Sequence, residues 1–138
     1  MNYLLDTNVV IAVMKGLPAS VRDNFRRAVD KRSSIAIPSI VLFELKYGVE
    51  RSARPRENAE RLRVFLSGSV DVLPFGEDDA ATAGEIRAAL EALGTPIGPY
   101  DLLIAAQALR RSVTLVTANV GEFSRVRRLK WLDWSANT

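Results

Sequence analysis

Histidine and cysteine are both absent from this 138-residue chain, and each absence closes off a chemistry. Without them there is no Ser-His-Asp triad, no thiolate nucleophile and no histidine acid/base pair for cutting RNA. Zinc sites, which draw on His and Cys, are not expected. Any catalysis has to rest on carboxylates, hydroxyls, Lys or Arg, or on a metal held by oxygen. An ion held by carboxylates would be a hard one, Mg²⁺ or Mn²⁺. Zero cysteines also fit a reducing compartment. No apolar run approaches the ~20 residues that a membrane span needs. The first strand is expected at residue 2, which leaves no room for a signal peptide, so a cytoplasmic location is expected.

What is present suits one compact domain, expected over residues 1–138: 48% of the residues are hydrophobic, enough for a real core. The net charge is +3 and the pI about 9.6, with 15 Arg against 4 Lys. Arg22, Arg26, Arg27, Lys31 and Arg32 form one cluster; Arg51, Arg54, Arg56, Arg61 and Arg63 a second; Arg125, Arg127, Arg128 and Lys130 a third. Each cluster alone reads as a solvated helix face. Three without matching acidic blocks lean toward an anionic partner such as nucleic acid.

The apolar run Tyr3-Leu4-Leu5 has no polar face, as in a strand buried on both sides of a parallel sheet. It stops on Asp6-Thr7-Asn8, residues that favour turns and helix caps, and a second apolar run follows at once from Val9 to Met14. Pro18 suits the first turn of a helix reaching Lys31, Ser34–Ile37 reads as a strand stopped by Pro38, and Ser39 is placed to cap a helix to about Arg51. Pro55 opens another helix with Leu62, Phe65 and Leu66 inward. Val70–Phe75 alternates as a strand. An amphipathic helix is predicted from Glu77 to Leu93, with Ala83, Ile86, Leu90 and Leu93 on one face and Gly94 as its C-cap. After the stiff linker 95–99 comes a helix from Pro99 or Tyr100 to Arg111, a strand over Val113–Thr117, a loop, and a fifth strand near Trp131–Trp134. Strands alternating with helices imply a three-layer α/β/α domain around a parallel sheet of four to five strands.

Four places carry the chemical interest. Asp6 leaves the carboxyl end of its strand, where open α/β sheets bind ligands, though a lone Asp there also reads as a helix cap. Glu44 has Ile40, Val41, Tyr47 and Gly48 as its helical neighbours, so it is a carboxylate on an apolar face, in want of a metal, a base or water. Asp101 stands in the first turn of its helix with Ile104 and Ala105 one turn on; a plain helix-start Asp is the simpler reading. The loop Thr117-Ala118-Asn119-Val120-Gly121-Glu122-Phe123 leaves another strand end, from which Asn119 or Glu122 reaches the same crevice.

Leu4-Leu5-Asp6-Thr7-Asn8, Pro38-Ser39 with Glu44 five residues on, Gly98-Pro99-Tyr100-Asp101 leading into Leu102-Leu103-Ile104-Ala105-Ala106, and Thr117-Ala118-Asn119 with Glu122-Phe123 together resemble a PIN domain. Their order and spacing, and the chain length, are similar to the VapC-type toxins of bacterial toxin–antitoxin pairs. The resemblance implies a Mg²⁺- or Mn²⁺-dependent endoribonuclease, a homodimer, and a small antitoxin whose tail blocks the cleft. Some members of that family cut structured RNAs such as transfer RNA, so the resemblance implies an RNA substrate and leaves its class open. Asp6, Glu44 and Asp101 match the family's three acidic positions. The fourth is divided between Asn119, where many PIN domains have Asp, and Glu122. Asp6, Asp101, Glu44 and Glu122 are thus the expected catalytic and metal-holding set, with Thr7, Asn8, Ser39, Thr117 and Asn119 orienting them. The rival readings are a non-catalytic RNA- or protein-binding module on the same fold, and an Asp-x-Asp phosphatase, against which Asn8 speaks.

Overall fold

A computed structural model describes residues 2–136 of the domain expected over 1–138. The order of elements is β1 (Asn2–Leu5), α1 (Thr7–Lys15), α2 (Ala19–Asp30), β2 (Ser34–Pro38), α3 (Ser39–Glu50), α4 (Pro55–Leu66), β3 (Val70–Leu73), α5 (Glu77–Ala92), α6 (Pro99–Arg111), β4 (Thr114–Val116), α7 (Val120–Phe123) and β5 (Trp131–Leu132). The strands form one parallel sheet in the order β3-β2-β1-β4-β5. Helices α1 to α4 pack among themselves, α5 lies against α6, and α3 meets α6. The three-layer parallel architecture is therefore as expected, with five strands.

The sheet explains why the shortest apolar runs are the most buried. Leu4 and Leu5 of β1, Ile35 and Ile37 of β2, and Leu115 and Val116 of β4 are all almost wholly hidden. Each of these strands has neighbours on both edges and helices on both faces, so little room is left for a polar side chain. The chain winds outward from β1 through β2 to β3, then crosses to β4 on the other side of β1. The carboxyl ends of β1 and β4 diverge at that reversal, which opens a crevice in sheets of this kind. The Asp6 N–H still donates to Val116 O at 3.1 Å, which fixes how the chain leaves the sheet.

Several local expectations are corrected. Pro18 and Pro38 each stand one residue outside their helices in extended conformation, and Ser39 is already inside α3 without a side-chain capping bond. A proline's fixed φ suits the residue that turns from strand into helix, so the cap falls one place earlier than the serine suggests. The third strand stops at Leu73, before Pro74, which has no N–H for a ladder. The segment after β4 is not all loop: Val120–Phe123 makes one helical turn, with Phe123 fully buried beneath it. Of the basic clusters, the second is largely matched along α4 by Arg54–Glu57, Arg61–Glu57 and Arg63–Glu60. Those pairs are well exposed and contribute little to stability.

Candidate active site

Asp6 is the buried corner of the site. Its carboxylate accepts the Thr7 N–H at 2.7 Å through one oxygen and the Thr117 hydroxyl at 2.8 Å through the other. Asp6 therefore does cap α1, as its sequence allows, and faces the crevice as well. Burial pushes its carboxyl above the ordinary range, against the opposing pull of Thr117 and the Thr7 N–H. Thr117 is itself fully buried, and its hydroxyl also accepts the Asn119 N–H at 3.0 Å. A single threonine thus ties the end of β4 to the end of β1.

Glu44 comes from α3 and is half-buried. The Thr7 hydroxyl donates to its Oε1 at 2.9 Å, so one residue of α1 holds two different carboxylates, Asp6 through its N–H and Glu44 through its side chain. Among the described residues the other Glu44 oxygen has no hydrogen-bond donor. No arginine or lysine pairs with it there, so of the metal, base or water that the sequence calls for, a base is not what meets this carboxylate.

Asp101 and Glu122 meet across α6 and α7. The Asn119 amide stands between them, donating to Asp101 Oδ2 at 3.2 Å and to Glu122 Oε2 at 3.1 Å. Glu122 Oε1 accepts the Gly98 N–H at 3.1 Å. Gly98 has a role that sequence reasoning missed; it reads as linker and as the start of the Gly98–Asp101 motif, yet it sits one residue outside α6 with an N–H that the helix does not use. A Cβ there would lie 3.6 Å from Asp101 Oδ2 and 3.8 Å from Glu122 Oε2, ordinary contact distances, so it is the Gly98 N–H and not the missing side chain that serves the site. Asp101 is pushed up to about 7, by burial first, then by its hydrogen bond with Glu122 and by the charges of Asp6, Glu122 and Glu44. Glu122 is held below the usual range by the same hydrogen bond with Asp101, helped by Gly98, Asn119 and Arg125 and opposed by its own burial. The two carboxyls titrate as one coupled pair that takes up a proton near neutrality.

Of the orienting residues expected, Thr7, Thr117 and Asn119 make the contacts. Asn8 is exposed and Ser39 half-buried, and among the described residues neither bonds any of the four carboxylates. The divided fourth position is also clearer. Asn119 turns its amide nitrogen, not its oxygen, toward the acids, while Glu122 brings charge. Glu122→Gln should therefore weaken Mn²⁺ binding by about tenfold, since Gln still accepts from Gly98 but removes a charge. Asn119→Asp should set three carboxylates side by side and raise the carboxyl pKa values of the metal-free protein. Calorimetric Mn²⁺ titration and carboxyl titration by NMR check both outcomes.

The donor set is all oxygen, carries up to four negative charges and is crowded enough to hold a proton near neutrality. A hard divalent ion fits that chemistry. Among the described residues no three carboxylates stand close enough to make a ready-built metal cage. The arrangement is a negatively charged cleft, not a closed coordination sphere.

The PIN domain family model matches residues 3–129. The tRNA(fMet)-specific endonuclease VapC of Shigella flexneri is 40% identical over 135 residues, covering 98% of this chain and 99% of its own. Ribonuclease VapC2 of Rickettsia felis is 40% identical over 134 residues, covering 97% and 98%. Among solved structures, VapBC2 of Rickettsia felis bound to a DNA fragment from its promoter superimposes with a TM-score of 0.90 at 39% identity, over 97% of this chain and 99% of that one. DNA-bound VapBC of Salmonella typhimurium gives 0.87 at 38% identity, over 97% and 98%.

Proposed function

The chain belongs to the PIN-domain family, and we propose that it is a VapC-type endoribonuclease, the toxin of a toxin–antitoxin pair, acting in the cytoplasm with Mg²⁺ or Mn²⁺. The observation that carries this reading is the convergence of Asp6, Glu44, Asp101 and Glu122 from four separate segments, crowded enough to lift Asp101 to about 7. A binding module for RNA has no use for such a concentration of negative charge, which repels phosphate. Asp6 and Asp101 would hold the ion, with Glu122 adding charge behind Asp101. When bound, the ion supplies positive charge against the scissile phosphate and acidifies water for attack.

The protein's own part is positioning and proton transfer. The Thr7 N–H and the Thr117 hydroxyl fix the plane of Asp6. Glu122 has both oxygens engaged, by Gly98 and by Asn119. Glu44 keeps one oxygen uncommitted and is the better acceptor for a proton from the attacking water. Purified protein incubated with total RNA should cut only with a divalent ion and leave 3′-hydroxyl and 5′-phosphate ends. Cleavage undiminished in EDTA, or 2′,3′-cyclic phosphate ends, would overturn the proposal. Since one relative is named for its action on tRNA(fMet), transfer RNA is the first substrate to try.

An apolar hollow beside Glu44 suits the antitoxin that this reading calls for. A cavity of about 270 Å³ between α1, α3 and α4 is lined by Ile11, Met14, Leu45, Val49 and Leu62 and runs to Glu44. Gly48 faces it, with nothing within 4 Å of where a Cβ would stand. Gly48→Leu should raise stability by up to about 1 kcal/mol through helix propensity. It should leave RNA cleavage intact while weakening inhibition by a cognate antitoxin. A thermal melt and an inhibition titration read the two effects.

A further inference from the structure

Phe43, Tyr47 and Tyr100 are the three large aromatic side chains among the described residues that stand well exposed, at 52%, 55% and 48%. All three lie in one row. The Phe43 and Tyr100 rings meet edge to face, with centroids 5.8 Å apart at 72°. Tyr47 follows Phe43 by one helical turn on α3, and the Arg51 guanidinium sits over its ring at 5.5 Å. The exposed aliphatic residues, such as Leu17, Val64, Leu93 and Leu132, are spread over other parts of the fold.

The row is rooted next to two of the site residues in the chain. Phe43 precedes Glu44 and Tyr100 precedes Asp101 in the chain, so each ring is rooted one Cα step, about 3.8 Å, from a residue that carries a site carboxylate. A nucleic acid strand whose scissile phosphate lies on those carboxylates must lay its flanking nucleotides over the adjoining surface. Unpaired bases there find ring faces at the cleft mouth and a guanidinium at the far end, the combination that single strands use for stacking and phosphate contact. An edge-to-face pair leaves ring surface free for that use.

We propose that Tyr100, Phe43 and Tyr47, with Arg51, form a stacking platform for the unpaired bases of single-stranded RNA beside the scissile phosphate. The inference deepens the endoribonuclease reading and rests on it. It makes these residues determinants of which loops are cut: a substrate must offer at least one unstacked base next to the cleavage site.

The test is a single-stranded oligoribonucleotide carrying 2-aminopurine, whose fluorescence falls when it stacks on an aromatic ring. It is titrated with the protein at low salt in EDTA, where the strand binds without being cut. The wild type should quench it. Phe43→Leu and Tyr100→Leu should lose the quenching and weaken binding by about tenfold or more. The same variants should raise KM for cleavage more than they lower kcat. Phe43→Tyr and Tyr100→Phe, which keep a ring at an exposed position and leave folding untouched, should behave as wild type. A wild-type protein that cuts RNA but does not quench, or leucine variants that bind like wild type, would overturn the platform. So would sedimentation in which charged variants Phe43→Glu and Tyr100→Glu turn a wild-type dimer into a monomer, since the rings would then be covered by a second copy of the chain. Quenching by a protein that cuts no RNA would sink the endoribonuclease reading and leave the platform standing.

Discussion

Asp101→Asn will remove RNA cleavage, by about a hundredfold to a thousandfold, and yet make the metal-free protein more stable above neutral pH. Both effects come from one cause. Asp101 is burdened by burial and by the charges of Glu122, Asp6 and Glu44, which lift it from 3.8 to about 7. A carboxyl whose folded pKa is raised costs no stability below its unfolded value. The cost grows as pH climbs from 3.8 and is complete above about 7. The wild type without metal should therefore melt at a lower temperature at pH 8 than at pH 5.5. The substituted amide carries no charge, so the variant should lose that contribution to the slope and exceed the wild type at pH 8, with the gap narrowing toward pH 5. The same proton must leave before an ion binds, so wild-type metal affinity and cleavage should rise with pH through about 7. Thermal melts with and without Mn²⁺ at three pH values decide the matter. A variant that unfolds, or that cuts at the wild-type rate, would make Asp101 a structural residue.

Much of this site is legible in the sequence because strand ends are legible. Leu4-Leu5 reads as a buried strand, and whatever follows such a strand in a parallel sheet stands at the ligand edge. Asp6 and Thr117 need no more than that. Glu44 is visible as a charge on an apolar helix face, and Asp101 as an acid at a helix start before an apolar turn. What stays hidden is the wiring between segments. Nothing local announces that the Gly98 N–H serves Glu122, or that Asn119 bridges two acids 18 and 3 residues away. Ser39 misleads because serine is a good cap in general, whereas Pro38 in extended conformation takes the position. Asn8 is exposed because α1 starts at Thr7, and the next residue points away from the cleft.

The other hidden feature lies at the far end of α6. Asp79 reads as an ordinary acid in the first turn of α5, yet it is fully buried. The clue is present: Asp79 precedes Ala83, Ile86 and Leu90 at spacings of four, seven and eleven, so it lies on their inward stripe. Its carboxylate accepts the Gly76 N–H at 2.8 Å and the Arg110 Nε–H at 2.5 Å, which joins α5 to α6. Nearby, Gln107 is buried on α6 and donates to the carbonyls of Leu73 and Pro74, tying that helix to the end of β3. The helix that delivers Asp101 is thus anchored along its length by polar contacts that its apolar pattern conceals.

Arg110→Ala should cost about 3 kcal/mol, because it leaves the Asp79 carboxylate inside the protein without its main partner. The cost resides in that buried carboxylate rather than in the arginine, which is 30% exposed. It sits at the lower end for a broken buried pair, since the Gly76 N–H remains. The pH dependence identifies the cause. In the wild type, burial alone would raise Asp79, but Arg110, the Gly76 N–H and the charge of Arg111 outweigh it and hold the carboxyl below 3.8. The pair's stability is then present above 3.8 and lost as pH falls through the lowered folded value. Without Arg110, burial dominates and the sign reverses, so the variant should gain relative to wild type as pH falls toward 4. Replacing both partners with leucine should recover most of the loss, since two apolar side chains carry no charge to desolvate. Urea unfolding of the three proteins at pH 7 and pH 4 measures each of these differences. RNA cleavage by Arg110→Ala, assayed well below its melting temperature, should stay near wild type, because Asp101 is oriented by Glu122 and Asn119 at the opposite end of the helix. A loss below about 1 kcal/mol, or one unaffected by pH, would mean that the ion pair is a bystander and that apolar packing alone holds α6 in place.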